Sequence, residues 1–345
     1  MGRDTSRAPL KTASWKVAVV FSGYCDARLF TVHFAFLMLI RSSRPRVVHA
    51  FILIAALSTP LHAQTIDDGI MLDRHDLLAG NLYTYESWDQ YWEGPLKRVN
   101  GNIGTITTRT NIWSANYGVT DRMNVIAMVP YVWTRASQGV LHGMSGRQDF
   151  TLLAKYRVAN PLVAGRARLK LLAVGGVTTP TSDYTPDFLP MSIGLHSKSA
   201  ITRIAAHLQD RSGWFFDGYA ERVWRSNVTL DRGSYFTDGQ YYETNEVAMP
   251  DVAKYRGTLG WQRGPWCIPV GLTAQRTLGG GDIRRQDMPF VSNRMNATMA
   301  HAELMYFLPG VSNLRLDLGA AHTISGRNVG RSTSFMTGFT YALHL

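Results

Sequence analysis

Cysteine is almost missing from this chain of 345 residues, which has only Cys25 and Cys267. Cys25 lies ahead of Gln64, so a chain matured there keeps one thiol and can form no intramolecular disulfide, even in an oxidising compartment. No Cys/His spacing suggests zinc, and no cofactor motif is present. The first mature position would be Gln64 rather than Cys, which argues against a lipid-anchored soluble protein. Long basic runs are lacking as well. Of 36 Lys+Arg and 25 Asp+Glu, eight basic and two acidic residues precede Gln64, so the net charge falls from +11 to +5 in the remainder. A high pI points to nucleic acid only when the basic residues lie on the folded domain, so no nucleic-acid partner is expected. Beyond residue 63 there is no apolar stretch long enough for a membrane helix, and no Pro- or Ser-rich linker divides the chain.

What is present first is an export signal. Arg44-Pro45-Arg46 leads into the apolar run Val47 to Leu57, and Leu61-His62-Ala63 forms a small-residue cleavage site. Met38 is an alternative start, which makes 38–63 a signal peptide of ordinary length and leaves 1–37 either untranslated or an amino-terminal extension. Residues 64–80 are expected to form a periplasmic segment, followed by one domain over 81–345.

That domain is rich in short alternating segments of Tyr, Trp, Phe, Val and Thr. Period two marks strands at about 81–92, 101–117, 121–135, 147–158, 166–178, 191–208, 212–226, 250–263, 266–278, 294–308, 313–325 and 333–345. Their connections alternate between tight turns, such as Gly264-Pro265, and long stretches, such as 227–249. An even strand number with short turns on one side and long loops on the other predicts an all-β fold, a transmembrane antiparallel β-barrel of about 12 strands. A soluble sandwich has no reason to sort its loops this way. Tryptophans near strand ends read as interface girdles, and the last strand sets Phe335, Phe339, Tyr341, Leu343 and Leu345 on one face. A terminal strand of that kind resembles the signal read by barrel assembly machinery, except that Leu345 stands where an aromatic is usual.

Parity then separates a lipid face from a lumen face. In 147–158, Phe150, Leu152, Ala154, Tyr156 and Val158 oppose Arg147, Asp149, Lys155 and Arg157. In the next strand Leu169 and Leu171 oppose Arg166, Arg168 and Lys170, and later Tyr255 and Leu259 oppose Lys254 and Arg256. Asp217 with Glu221, His301 with Glu303, and Arg315 with Asp317 complete the expected lumen lining. Lys155, Arg157, Arg166, Arg168 and Lys170 gather five like charges near the inner mouth. They favour anionic solutes unless Asp149, Asp217, Glu221, Glu303 and Asp317 neutralise them.

The stretches Ala115-Asn116-Tyr117-Gly118-Val119-Thr120-Asp121-Arg122, Asp149-Phe150-Thr151-Leu152-Leu153-Ala154-Lys155-Tyr156-Arg157 and Gly176-Val177-Thr178-Thr179-Pro180-Thr181 resemble the bacterial outer-membrane barrel family labelled for the meta-pathway of phenol degradation. The resemblance covers about residues 100–190. It implies outer-membrane lipid as surroundings and aromatic or other hydrophobic small molecules as solutes. From the residues themselves, Gly118 and Asp121 read as parts of a hairpin turn, Gly118 through positive φ and Asp121 through bonds to turn amides. The enzymatic rival is an outer-membrane lipid hydrolase at Gly194-Leu195-His196-Ser197-Lys198-Ser199. There parity pairs His196 with Lys198 and sends both serines to the other face, so no hydroxyl sits beside the imidazole without a bulge. The expected protein is a non-enzymatic channel or a structural barrel.

Overall fold

The computed structural model describes residues 69–284, 289–311 and 313–345, so the segments 1–37 and 38–63 lie outside the described residues. Twelve long strands form the architecture: β1 (Asp76–Trp88), β2 (Ile106–Thr120), β3 (Met123–Ala136), β4 (Asp149–Ala159), β5 (Ala167–Pro180), β6 (Ser199–Asp210), β7 (Trp214–Arg225), β8 (Val252–Arg263), β9 (Trp266–Thr277), β10 (Asn296–Phe307), β11 (Leu314–Arg327) and β12 (Thr333–His344). Each pairs antiparallel with its neighbours in sequence, and β12 returns to β1, so the sheet closes without a free edge. Strands of 11 to 15 residues, tilted about 40° at ~3.3 Å per residue, stand about 30 Å tall, the thickness of a bilayer core. Among the described residues no helix is long and apolar enough to cross a membrane.

Every second residue faces outward, and most of the outward residues near mid-height are apolar. Leu152, Tyr156, Ile204, Leu259, Val270, Leu318, Phe335 and Phe339 are all exposed in this way. Aromatic bands flank the wall. Trp214, Trp261 and Tyr306 meet Trp266 at the short-turn end, where Trp266 packs 4.4 Å from Tyr306 between centroids. Tyr131 and Trp133 pack 4.5 Å apart at the long-loop end.

Several expectations need correction. Trp113 is 59% exposed in the middle of β2, outside either band, while Trp88 and Trp92 pack over Gly330 and Gly326 instead of facing outward. The first strand begins at Asp76, earlier than period two suggests, because inward Asp76 and Leu78 blur the contrast between the faces. The sixth begins only at Ser199. His196 has φ of 56°, and this left-handed residue ends the extended run where the alternation slips. Gly118 is extended rather than left-handed; a Cβ there would come within 1.9 Å of the Asp73 carbonyl, so close approach is what requires glycine. In that turn the amide of Arg122 bonds the Thr120 hydroxyl at 3.2 Å.

Candidate functional site: a chamber closed at both ends

Because the wall faces outward with its apolar side, polar side chains are forced together inside. In β6 and β7, Arg203 stands opposite Glu221 and His207 opposite Asp217. Arg203 Nε donates to Glu221 Oε2 at 2.8 Å and stacks 4.1 Å over the Tyr219 ring, while Lys254 Nζ approaches Glu221 Oε1 at 3.3 Å from β8. His207 Nδ1 lies 2.7 Å from Asp217 Oδ1. Further round, Arg256 Nη2 donates to Glu303 Oε1 at 3.0 Å, and His301 Nε2 meets the Thr258 hydroxyl at 3.3 Å. Arg315, only 2% exposed, donates to Asp317 Oδ2 at 3.2 Å. Burying such charges is tolerable only because each sits beside an opposite charge or a hydrogen-bond partner.

The short-turn mouth is filled by the chain itself. Residues 69–73 run inside the wall ahead of β1. The Gly69 amide donates to Asp217 Oδ1 at 3.1 Å, and a Cβ on Gly69 would fall 2.0 Å from that of His207. Lys155, 1% exposed, donates from Nζ to the Ile70 carbonyl at 3.1 Å. Leu72 packs on Leu78, Ala342 and Phe307, and the His75 amide donates to Gly118 O at 2.9 Å.

The long-loop mouth is filled by residues 181–198. Thr134, inward on β3, donates its hydroxyl to Met191 O at 2.6 Å, and Ile193 and Tyr184 pack against Val132. Tyr184 donates to Asp149 Oδ1 at 2.6 Å and accepts the His196 amide at 3.0 Å. Burial, helped by the bond to Asp149, pushes the Tyr184 hydroxyl well above the ordinary tyrosine range. Val228, Leu230, Val247 and Phe290 form a second apolar cluster among the loops.

Between these closures lies a chamber of about 260 Å³. One wall is apolar, with Leu82, Ile112, Ile126, Met128 and Met336; the other carries the Arg256–Glu303 and Arg315–Asp317 pairs.

The fifteen residues expected in the lumen distribute as follows. Asp149, Lys155, Lys170, Asp217, Glu221, Lys254, Arg256, His301, Glu303, Arg315 and Asp317 have inward parity. Arg157 stays near the rim, where Nη2 donates to Asp121 O at 2.7 Å, and Arg166 and Arg168 are exposed at the short-turn end. Arg147 is a correction. It pairs with Tyr131, whereas Thr151 pairs with Met128, so one extra residue is accommodated at Gln148 and the face flips outward. Arg203, His207 and the segment 69–72 escaped sequence reading. The first two lie in β6, beyond the slip at His196; counted back from Asp210 their parity is plain.

The rival Ser/His arrangement does not assemble. The Ser197 hydroxyl donates to Ser226 O at 2.7 Å, and the His196 ring stands edge-on to Tyr184, centroids 4.8 Å apart. Among the described residues no group of three His, Cys, Asp or Glu could hold a metal ion.

The fold is similar to the crystal structure of an outer membrane channel from Pseudomonas putida F1, with TM-score 0.63 and 17% identity over 81% of this chain and 100% of that one. Weaker likenesses reach the KdgM porin, TM-score 0.41 and 8% identity over 77% of this chain and 99% of that one. They also reach the translocator domain of autotransporter NalP from Neisseria meningitidis, TM-score 0.39 and 11% identity over 77% and 87%. No family model matches the chain, and no curated protein matches it. The resemblance to the phenol meta-pathway family therefore rests on the quoted residues alone.

Proposed function

We propose that this protein is exported, with cleavage after Ala63, and conducts small molecules passively across an outer membrane through the interior of the barrel. The observation that carries this reading is a chamber of about 260 Å³ among the wall side chains of a barrel in which chain segments fold inside towards both mouths. Eight strands leave an interior that side chains just fill, so twelve leave space inside, and the inward segments that occupy it are held by a few hydrogen bonds. An apolar cavity of about 150 Å³ takes a single benzene ring, so this one suits a one-ring solute with a polar end: ring against Ile112, Ile126 and Met336, polar end towards Arg256 and Arg315. The segment resemblance to the phenol meta-pathway family points to the same solutes. Selectivity for anions set by five clustered cations is not the favoured form of this reading, because Arg166 and Arg168 lie exposed at the rim, Arg157 is engaged there with Asp121 O, and Lys155 is held by the Ile70 carbonyl.

The test is uptake into vesicles of purified full-length protein. Single-ring aromatic alcohols and carboxylates should enter faster than a disaccharide and faster than into protein-free vesicles. Equal uptake with and without protein for every solute would overturn the reading.

A further inference from the structure

The correction at Arg147 adds an arginine to the outer wall beside Arg109 and Arg135. At the long-loop end the register sets Tyr85, Arg109 and Trp133 side by side on β1, β2 and β3. Arg135 lies one row above, opposite Thr107, and Arg147 lies beside Tyr131 one row below. All three arginines are exposed, and among the described residues none of them has an acidic partner. The Arg109 guanidinium lies 6.0 Å from the centre of the Tyr85 ring. Arg109 and Arg135 line a notch of about 590 Å³ with aromatic rings and hydroxyls, and no carboxylate lines it.

Much of the rest of the outer wall is apolar, its outward Arg222 being paired with Asp251 and its outward Arg276 bonded to the Gln275 and Ala297 carbonyls, and a cation there costs least near the interface and most at mid-height. Uncompensated guanidiniums in the aromatic band therefore call for an anion that itself sits at interfacial depth. Guanidinium is matched to phosphate by its bidentate fork, and flat aromatic rings suit the apolar faces of sugars. Resting on the membrane reading above, in which long loops face outwards, we propose that this notch binds the phosphorylated glycolipid of the outer leaflet. Arg109 and Arg135 take its phosphates within the notch, Arg147 adds its charge from the row below it, and Tyr85 and Trp133 lie against its sugars. Three cations fit a headgroup with more than one phosphate better than a phospholipid with one.

The probe is lipid A, a bis-phosphorylated acylated glucosamine disaccharide, added to the detergent-solubilised full chain and followed by native mass spectrometry. The natural protein should retain it, and Arg109→Gln/Arg135→Gln should bind about a hundredfold more weakly, the loss of two charge-assisted contacts at about tenfold each. Arg166→Gln/Arg168→Gln, at the opposite rim, should bind like the natural protein. Removing both phosphates from the lipid should reproduce the loss in the natural protein, which keeps the test valid if the double variant misfolds. Undiminished binding by a double variant that shows the gel shift of a folded barrel would overturn the proposal, and so would equal retention of dephosphorylated lipid. Equal binding of phosphatidylglycerol, or displacement by inorganic phosphate alone, would overturn the choice of glycolipid. Failure of the membrane reading shows separately, as failure of the protein to float with lipid vesicles.

Discussion

Glu221→Gln is the sharpest test of the interior ion-pair network. The Glu221 side chain is 2% exposed and serves two cations, Arg203, whose side chain is 8% exposed, and Lys254. Neutralising it leaves Lys254 with partial access to water, since its side chain is 35% exposed. Arg203 keeps the Tyr219 ring, 4.1 Å from its guanidinium, and loses the carboxylate it bonds. Removing one member of a buried pair costs about 3–5 kcal/mol because the remaining charge stays desolvated; glutamine keeps one acceptor, so about 3 kcal/mol is expected. The assay is urea unfolding in detergent, followed by tryptophan fluorescence and by migration of unheated samples on a gel. Arg203→Gln/Glu221→Gln should recover much of the loss, because two neutral amides can bond each other and the one charge left without Glu221 is Lys254, which reaches water. Loss below about 0.5 kcal/mol in the single variant, or a double variant no better than the summed singles, would refute the network.

Three further outcomes follow from the closures. Gly118→Ala pushes a Cβ to 1.9 Å from Asp73 O, so the segment 69–73 must shift, and the current carried by the variant in planar bilayers should rise while its fold is kept; unchanged current would show that this segment closes nothing. Tyr184→Phe removes the donor to Asp149 and the acceptor of the His196 amide, at about 1.5–3 kcal/mol for the charged contact, and should speed hydrogen exchange across residues 181–198. Asp282 is held below the usual carboxylate range, chiefly by its hydrogen bonds from Arg327 and despite partial burial. A depressed carboxyl stabilises above its unfolded pKa, so the anchoring of Asp282 on Arg327 and Asn328 should be intact from neutral pH to about 4 and be lost only below that; Asp282→Asn should loosen the chain around residues 279–284 at neutral pH, measured by limited proteolysis.

Barrel architecture was legible in this sequence because three signals agree: alternation along each strand, alternation of connection length, and the apolar outer face of β12. The interior was legible wherever the alternation held, as at Lys254 and Arg256. It failed where one residue changes parity. The insertion at Gln148 turns Arg147 outward, and His196 hides the inward face of β6, with Arg203 and His207 on it. No periodicity could reveal that residues 69–73 fold back inside the wall, because their bonds to Asp217 and Lys155 are long-range and irregular. The loop 181–198 is likewise held inside by single contacts such as Thr134 to Met191.

The central claim is that solutes pass through the chamber. It is tested most directly by placing a cysteine there, Met336→Cys, with Cys267 changed to Ser, and measuring flux of a single-ring aromatic into vesicles before and after a small thiol reagent. Modification of the chamber wall is expected to suppress most of the protein-dependent flux. Complete modification with undiminished flux would contradict the account.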